Sequence, residues 1–140
     1  MPPIEHPIKY QHTTGNLADL YVELDGKWIL IENNIGDYNL CQSPNGQFLA
    51  ITEFRGCYDI RIKIYDTFSR RLFDITEGIR KRTPALSSRP LFTGIRFTSN
   101  TALECGMRFL PITIEERPIV ESLNRTIFTV DVEDLIAEYV

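Results

Sequence analysis

The chain has 140 residues, 43% of them hydrophobic and 24% charged, with a net charge of −4. One domain takes roughly 100–200 residues, and this balance excludes wholesale disorder, collagen and low-complexity scaffolds. No run approaches the about 20 apolar residues that a membrane-spanning helix needs.

Residues 1–13 read as a proline-rich arm and 14–140 as a single β-rich domain. Pro2, Pro3 and Pro7 disfavour helix and push the residue before each towards extended geometry. They are also expected to keep the arm out of regular pairing. Residues 21–24 and 27–32 flank Asp25-Gly26. That dipeptide is a type I′ hairpin signal, because both turn positions need positive φ. Residues 33–37 are polar, contain Gly36 and read as a loop. Ser43-Pro44-Asn45-Gly46 reads as a tight turn, leading into a strand over 47–53.

Over 59–65 the residues alternate: Ile60, Ile62 and Ile64 share one face, and Asp59, Arg61 and Lys63 the other. This predicts a half-buried strand with Arg61 and Lys63 outside. Residues 66–69 turn the chain and 71–76 return it. Residues 77–90 hold Pro84, Pro90 and the run Arg80-Lys81-Arg82, and read as a long exposed loop. Residues 94–97 and 101–110 form a further strand pair. Pro111 and Pro118 bracket an acidic connection, and 126–130 is a last strand. Val132, Leu135, Ile136 and Tyr139 then fall at i, i+3, i+4 and i+7, which predicts a short C-terminal helix capped by Asp131.

Charge is arranged in blocks. Residues 1–53 carry a net −5, residues 54–110 a net +6 and residues 111–140 a net −5. Such blocks either neutralise one another across the fold or present oppositely charged patches that steer a partner. A phosphate-binding stripe along Arg61, Lys63, Arg70, Arg71, Arg80, Lys81 and Arg82 would need a basic domain, and the flanks are acidic, so nucleic acid is not the expected partner.

Signals for catalysis are sparse. Cys41, Cys57 and Cys105 are odd in number and lack CxxC spacing. They read as free, buried thiols of a reducing compartment. The start shows no basic segment followed by an apolar run, so the expected location is cytoplasmic. His6 and His12 are the only histidines; a small hydrolase or nuclease would have to work through one of them. No metal-ligand spacing or phosphate-binding glycine loop is present, and no cofactor is expected. The acids Asp131, Glu133 and Asp134 suit a helix start better than a calcium loop. Asn124-Arg125-Thr126 matches a glycosylation sequon whose use would need secretion.

Ser43-Pro44-Asn45-Gly46-Gln47-Phe48-Leu49-Ala50, Ile62-Lys63-Ile64-Tyr65-Asp66 and Arg71-Leu72-Phe73-Asp74-Ile75-Thr76 together resemble a β-propeller blade. A weaker copy runs from Gly94 to Asp131. A propeller closes with about 4–8 blades, and at ~40–45 residues per blade this chain holds about three. The expected fold is therefore mainly β: an antiparallel meander of hairpins, curled or sandwiched, with one short C-terminal helix. In size, charge and lack of catalytic motifs the chain is similar to small bacterial immunity proteins. That likeness implies a non-catalytic binding protein that occludes a toxin or effector. Its expected partner-binding residues are Asp25, Glu32 and Asp37, in acidic loops facing a basic partner, with Tyr38, Phe54 and Tyr58 as aromatic anchors. The basic run Arg80-Lys81-Arg82 is the alternative docking segment, for an acidic partner.

Overall fold

A computed structural model of the chain describes residues 3–55, 60–82, 91–108, 113–123 and 128–139. Among these residues, ten strands form three antiparallel sheets in which every strand pairs with its neighbour in sequence. The first sheet holds β1 (Ile8–Thr14), β2 (Leu17–Leu24) and β3 (Lys27–Ile35). The central sheet holds β4 (Asp37–Gln42), β5 (Phe48–Phe54), β6 (Ile60–Asp66) and β7 (Arg71–Asp74). After α1 (Thr76–Lys81), the third sheet follows with β8 (Leu91–Phe97), β9 (Ala102–Arg108) and β10 (Phe128–Asp131). Helix α2 (Arg117–Leu123) lies between β9 and β10, and α3 (Val132–Ala137) follows β10.

Local chemistry sets the turns. Asp25 and Gly26 have φ of 53° and 76°, and the pairs Leu24↔Lys27 and Glu23↔Trp28 close the β2–β3 hairpin. Gly46 sits at φ 73°, and the Phe48 N–H donates to Ser43 Oγ at 2.9 Å, which fixes the entry into β5. Asp131 caps α3 as expected, its Oδ1 accepting from the Asp134 N–H at 3.1 Å.

The central sheet is apolar on both faces, so it must be covered on both. On one side Phe48, Ala50, Ile60, Ile62 and Ile64 pack with Leu103, Cys105 and Val130 of the third sheet and with Ile79, Val132 and Leu135 around the helices. On the other, Leu49, Ile51 and Tyr65 pack with Leu20, Val22, Leu24, Ile31 and Ile35 of the first sheet. The meander is thus stacked, with the central sheet in the middle. Burying one such Leu or Ile contributes about 1.5–3 kcal/mol.

This layering corrects the expected exposure of Lys63. Ile60, Ile62 and Ile64 do face a core, but Lys63 is only 6% exposed. The strand is not half-buried, because the first sheet covers the face that Lys63 occupies. Arg61, also expected outside, is only partly exposed, its side chain paired with Asp74.

Other expectations also change. The prolines do not keep residues 1–13 out of pairing: β1 pairs with β2 from Ile8↔Val22 to Thr14↔Leu17. Pro7 precedes the strand and accepts through its carbonyl from the Glu23 N–H at 3.0 Å. The loop read over 33–37 is an irregular strand end. Strand β3 runs to Ile35 across register shifts opposite 18–21, with Asn34 at φ 54°. The segment read as a loop from 77 contains α1, whose Ile79 is fully buried; residues 83–90 lie outside the described residues. The bracketed acidic connection leads into α2, which tolerates Pro118 in its first turn, where a missing N–H removes no helical bond.

The segment before β1 is stapled to the Ser43–Gly46 turn. The Ile4 N–H donates to Pro44 O at 2.8 Å, and Gln42 and His6 exchange two further bonds. A methyl group on Gly46 would come within 2.8 Å of both Ile4 Cγ2 and His6 Nε2. At positive φ it is strained in any case. Gly46→Ala is therefore expected to loosen residues 4–6, seen as faster amide exchange at Ile4 and His6. Deleting residues 1–12 is expected to lower stability by about 2–4 kcal/mol, because half-buried Ile8 and Tyr10 leave with β1. An unchanged urea midpoint would show that β1 contributes nothing.

Candidate functional site

The residues singled out in the sequence separate into two groups. Asp25 and Asp37 are on the surface. Asp25 is at the β2–β3 tip with its side chain 92% exposed, and meets Arg70 of the β6–β7 turn at 3.1 Å. Asp37 opens β4 and is exposed. Glu32, Tyr38 and Phe54 are not loop residues. Tyr38 is a half-buried residue of β4 whose ring centroid lies 5.0 Å from that of Tyr10. Phe54 ends β5 and packs against the core beneath the third sheet. Tyr58 lies outside the described residues.

Glu32 belongs to an ion cluster between the first and central sheets. Its carboxylate accepts from Lys63 Nζ, which also donates to Glu53 Oε2 at 3.0 Å. Arg55 Nε donates to Glu53 Oε1 at 3.1 Å. Burial works to raise the Glu53 pKa, but the hydrogen bonds and charges of Arg55 and Lys63 outweigh it and hold the carboxyl below its ordinary value. Asp74 behaves alike: burial raises it, while Thr76 and Arg61 lower it further. Because both folded-state values lie below the unfolded ones, these groups stabilise the fold fully above the unfolded pKa and lose that contribution as pH falls through the folded one. The urea midpoint is expected to fall as pH drops from about 4 downward, and Glu53→Gln should flatten that fall. A midpoint that rises on acidification would contradict these pairings.

The same packing explains the charge blocks. Arg61 pairs with Asp74 at 2.8 Å, Arg80 with Glu77 at 2.7 Å, Arg82 with Glu138 at 2.7 Å and Arg96 with Glu104 at 3.0 Å. Much of the basic middle of the chain is therefore paired within the molecule, Arg80 and Arg82 included, while Lys81 is exposed with no ion pair among the described residues. Asp19, Glu23 and Asp37 form no ion pair among the described residues. Among the described residues the charges without an ion pair are mostly acidic; on the first sheet Asp19 and Glu23 are matched by Lys9 and Lys27.

That sheet also carries a feature the sequence reading passed over. Residues 27–32 are apolar at Trp28 and Leu30 as well as at Ile29 and Ile31. Ile29 and Ile31 pack towards the core, whereas Trp28 is 42% and Leu30 43% exposed. The register places Lys9, Tyr21 and Leu30 in one cross-strand row and Glu23 beside Trp28 in the next. Lys9 Nζ stands 4.7 Å from the Tyr21 ring centroid and 4.8 Å from that of Trp28. Four consecutive apolar residues in a strand with no second cover were the available signal.

Catalytic chemistry finds little support among the described residues. His6 Nε2 is 2.9 Å from Gly46 O, and the exposed His12 ring lies edge-on to Tyr10 at 5.2 Å. Burial pushes the Cys41 thiol up to about 11, against a hydrogen bond from the Phe97 backbone. Burial, with Cys41 and Glu104 nearby, pushes Cys105 up to about 12. Both stay protonated at neutral pH and are poor nucleophiles. Cys57 and the sequon at 124–126 lie outside the described residues. No group of three or more His, Cys, Asp or Glu that could hold a metal ion occurs among the described residues, and no helix there is long and apolar enough to cross a membrane. No protein-family model, curated protein or solved structure matches the chain.

Proposed function

We propose that the chain is a non-catalytic protein-binding module that inhibits a basic partner domain by occluding it, as a cytoplasmic immunity protein neutralises a cognate bacterial toxin. The observation that carries this reading is the imbalance of free charge. Arg61, Arg80 and Arg82 of the middle block pair with acids of the same chain, whereas Glu23, opposite exposed Trp28, and exposed Asp37 form no ion pair among the described residues. An exposed apolar patch with carboxylates beside it suits a basic partner, with the charges steering encounter and the apolar side chains holding the complex. The pairing of Arg80 with Glu77 and of Arg82 with Glu138 likewise favours an acidic docking face over one built on the Arg80-Lys81-Arg82 run.

The test is capture from cells that make the chain, with wild-type and Glu23→Lys/Asp37→Lys baits. These two acids have no ion-pair partner among the described residues to lose. A Glu32→Lys bait would instead report on folding, since Glu32 holds Lys63. The expected result is one stoichiometric basic protein on the wild-type bait, with the reversed bait markedly depleted of it. Equal recovery by both baits would sink the acidic interface. Ester or phosphodiester turnover that vanishes in His6→Ala or His12→Ala would sink the non-catalytic reading.

A further inference from the structure

The outer face of the first sheet already holds one cation. Lys9 Nζ lies within 5 Å of both ring centroids, 4.7 Å from Tyr21 and 4.8 Å from Trp28, and Lys9 makes no ion pair among the described residues. A cation within about 6 Å of an aromatic centroid is attracted by the ring quadrupole, and Trp is the strongest partner. The register adds negative charge: Glu23 is directly opposite Trp28, and Asp19, whose Oδ1 also accepts from the Asn34 N–H at 3.1 Å, is two residues from Tyr21 on the same strand face. Leu30, opposite Tyr21, supplies an exposed apolar shelf. Two rings, two carboxylates and an apolar shelf match a guanidinium better than an ammonium. Arg is planar and weakly hydrated and stacks on rings while hydrogen-bonding carboxylates, whereas Lys is a strongly hydrated point charge.

We propose that the Tyr21–Trp28 ring pair, flanked by Glu23 and Asp19, is the seat for an arginine side chain of a basic protein partner, and that Lys9 fills it in the free chain. This rests on the binding-module reading and names the chemistry of its anchor. The intramolecular lysine has two consequences. It keeps both rings ordered before the partner arrives, and it must be displaced or shifted on binding, so it weakens the complex while protecting the patch.

Trp28 is the only tryptophan, so its fluorescence reports on the seat directly. The probe is a capped oligoarginine peptide, with oligolysine and oligoglutamate of equal length as controls. Oligoarginine is expected to change Trp28 emission saturably, oligolysine to bind several-fold more weakly and oligoglutamate to do nothing. Lys9→Ala should tighten oligoarginine binding by about twofold to fivefold, the worth of one exposed cation–π contact. Unchanged emission, equal binding of the two basic peptides, or a Lys9→Ala variant that binds no tighter would overturn the seat. With a captured protein partner, Trp28→Ala should weaken affinity by more than about tenfold, as for an interface hot spot. A partner indifferent to Trp28→Ala would overturn the seat and leave the binding-module reading standing. Oligoarginine seating without any protein partner would leave the seat and overturn its proposed occupant.

Discussion

Lys63→Ala is expected to destabilise the chain by about 3–5 kcal/mol, the penalty for removing one partner of a buried ion pair. Lys63 is the cation that Glu32 and Glu53 share, and the side chains of Lys63, Glu32 and Glu53 are 8%, 16% and 6% exposed. Without it two carboxylates face each other between two sheets, with Arg55 paired to Glu53. Glu32 Oε2 has no hydrogen-bond partner among the described residues even with Lys63 present. The loss should therefore exceed that of a surface pair, which is worth about 0.2–1 kcal/mol. Lys63→Met with Glu53→Leu and Glu32→Leu should recover most of it, because an apolar replacement removes the unpaired charges as well. Urea unfolding of the two variants decides the matter: a loss below about 1 kcal/mol for Lys63→Ala would mean that water reaches the cluster freely.

The second large effect is expected one residue away. Ile62→Ala should destabilise by about 2–5 kcal/mol, the range for truncating a fully buried aliphatic side chain. Ile62 is 0% exposed and sits in the cluster that joins the central sheet to the third sheet and the helices. Its backbone also holds the entry to α1, since its N–H donates to Thr76 Oγ1 at 2.8 Å and its carbonyl accepts from the Ile75 N–H at 2.9 Å. Arg61→Ala should cost about 1 kcal/mol or less, because its pair with Asp74 is partly solvated. Equal losses at the two positions would put the register of β6 in error by one residue.

These two variants mark the boundary of what the sequence discloses. The Asp25-Gly26 hairpin, the Ser43–Gly46 turn, the inward isoleucines and the Asp131 cap were all legible, because each depends on residues within a few positions. The burial of Lys63 was not, because alternation tells which residues share a face but not whether a second sheet covers it. Strand β1 was hidden by its prolines, which end before Ile8. Helices α1 and α2 are short, and only packing distinguishes them from loops. The candidate site was half legible: Asp25 and Asp37 are surface acids, but Glu32 turns inward in β3, Tyr38 is half-buried in β4 and Phe54 ends β5 against the core. Trp28 and Leu30 were visible as residues, yet their exposure follows only from the single layer on that side of β3.

The central claim is that the face around Trp28, Leu30 and Glu23, together with Asp37, engages a basic protein. It is tested most directly by the association rate between the chain and its captured partner, measured from about 0.05 to 1 M salt, where the Debye length shrinks from over 10 Å to about 3 Å. The account predicts that wild-type association slows steeply with salt. Glu23→Lys/Asp37→Lys should associate at least about tenfold more slowly at low salt and converge on the wild type at high salt, with little change in dissociation. Association that ignores both salt and the two reversals, or that slows only when Arg80, Lys81 and Arg82 are reversed, would contradict it.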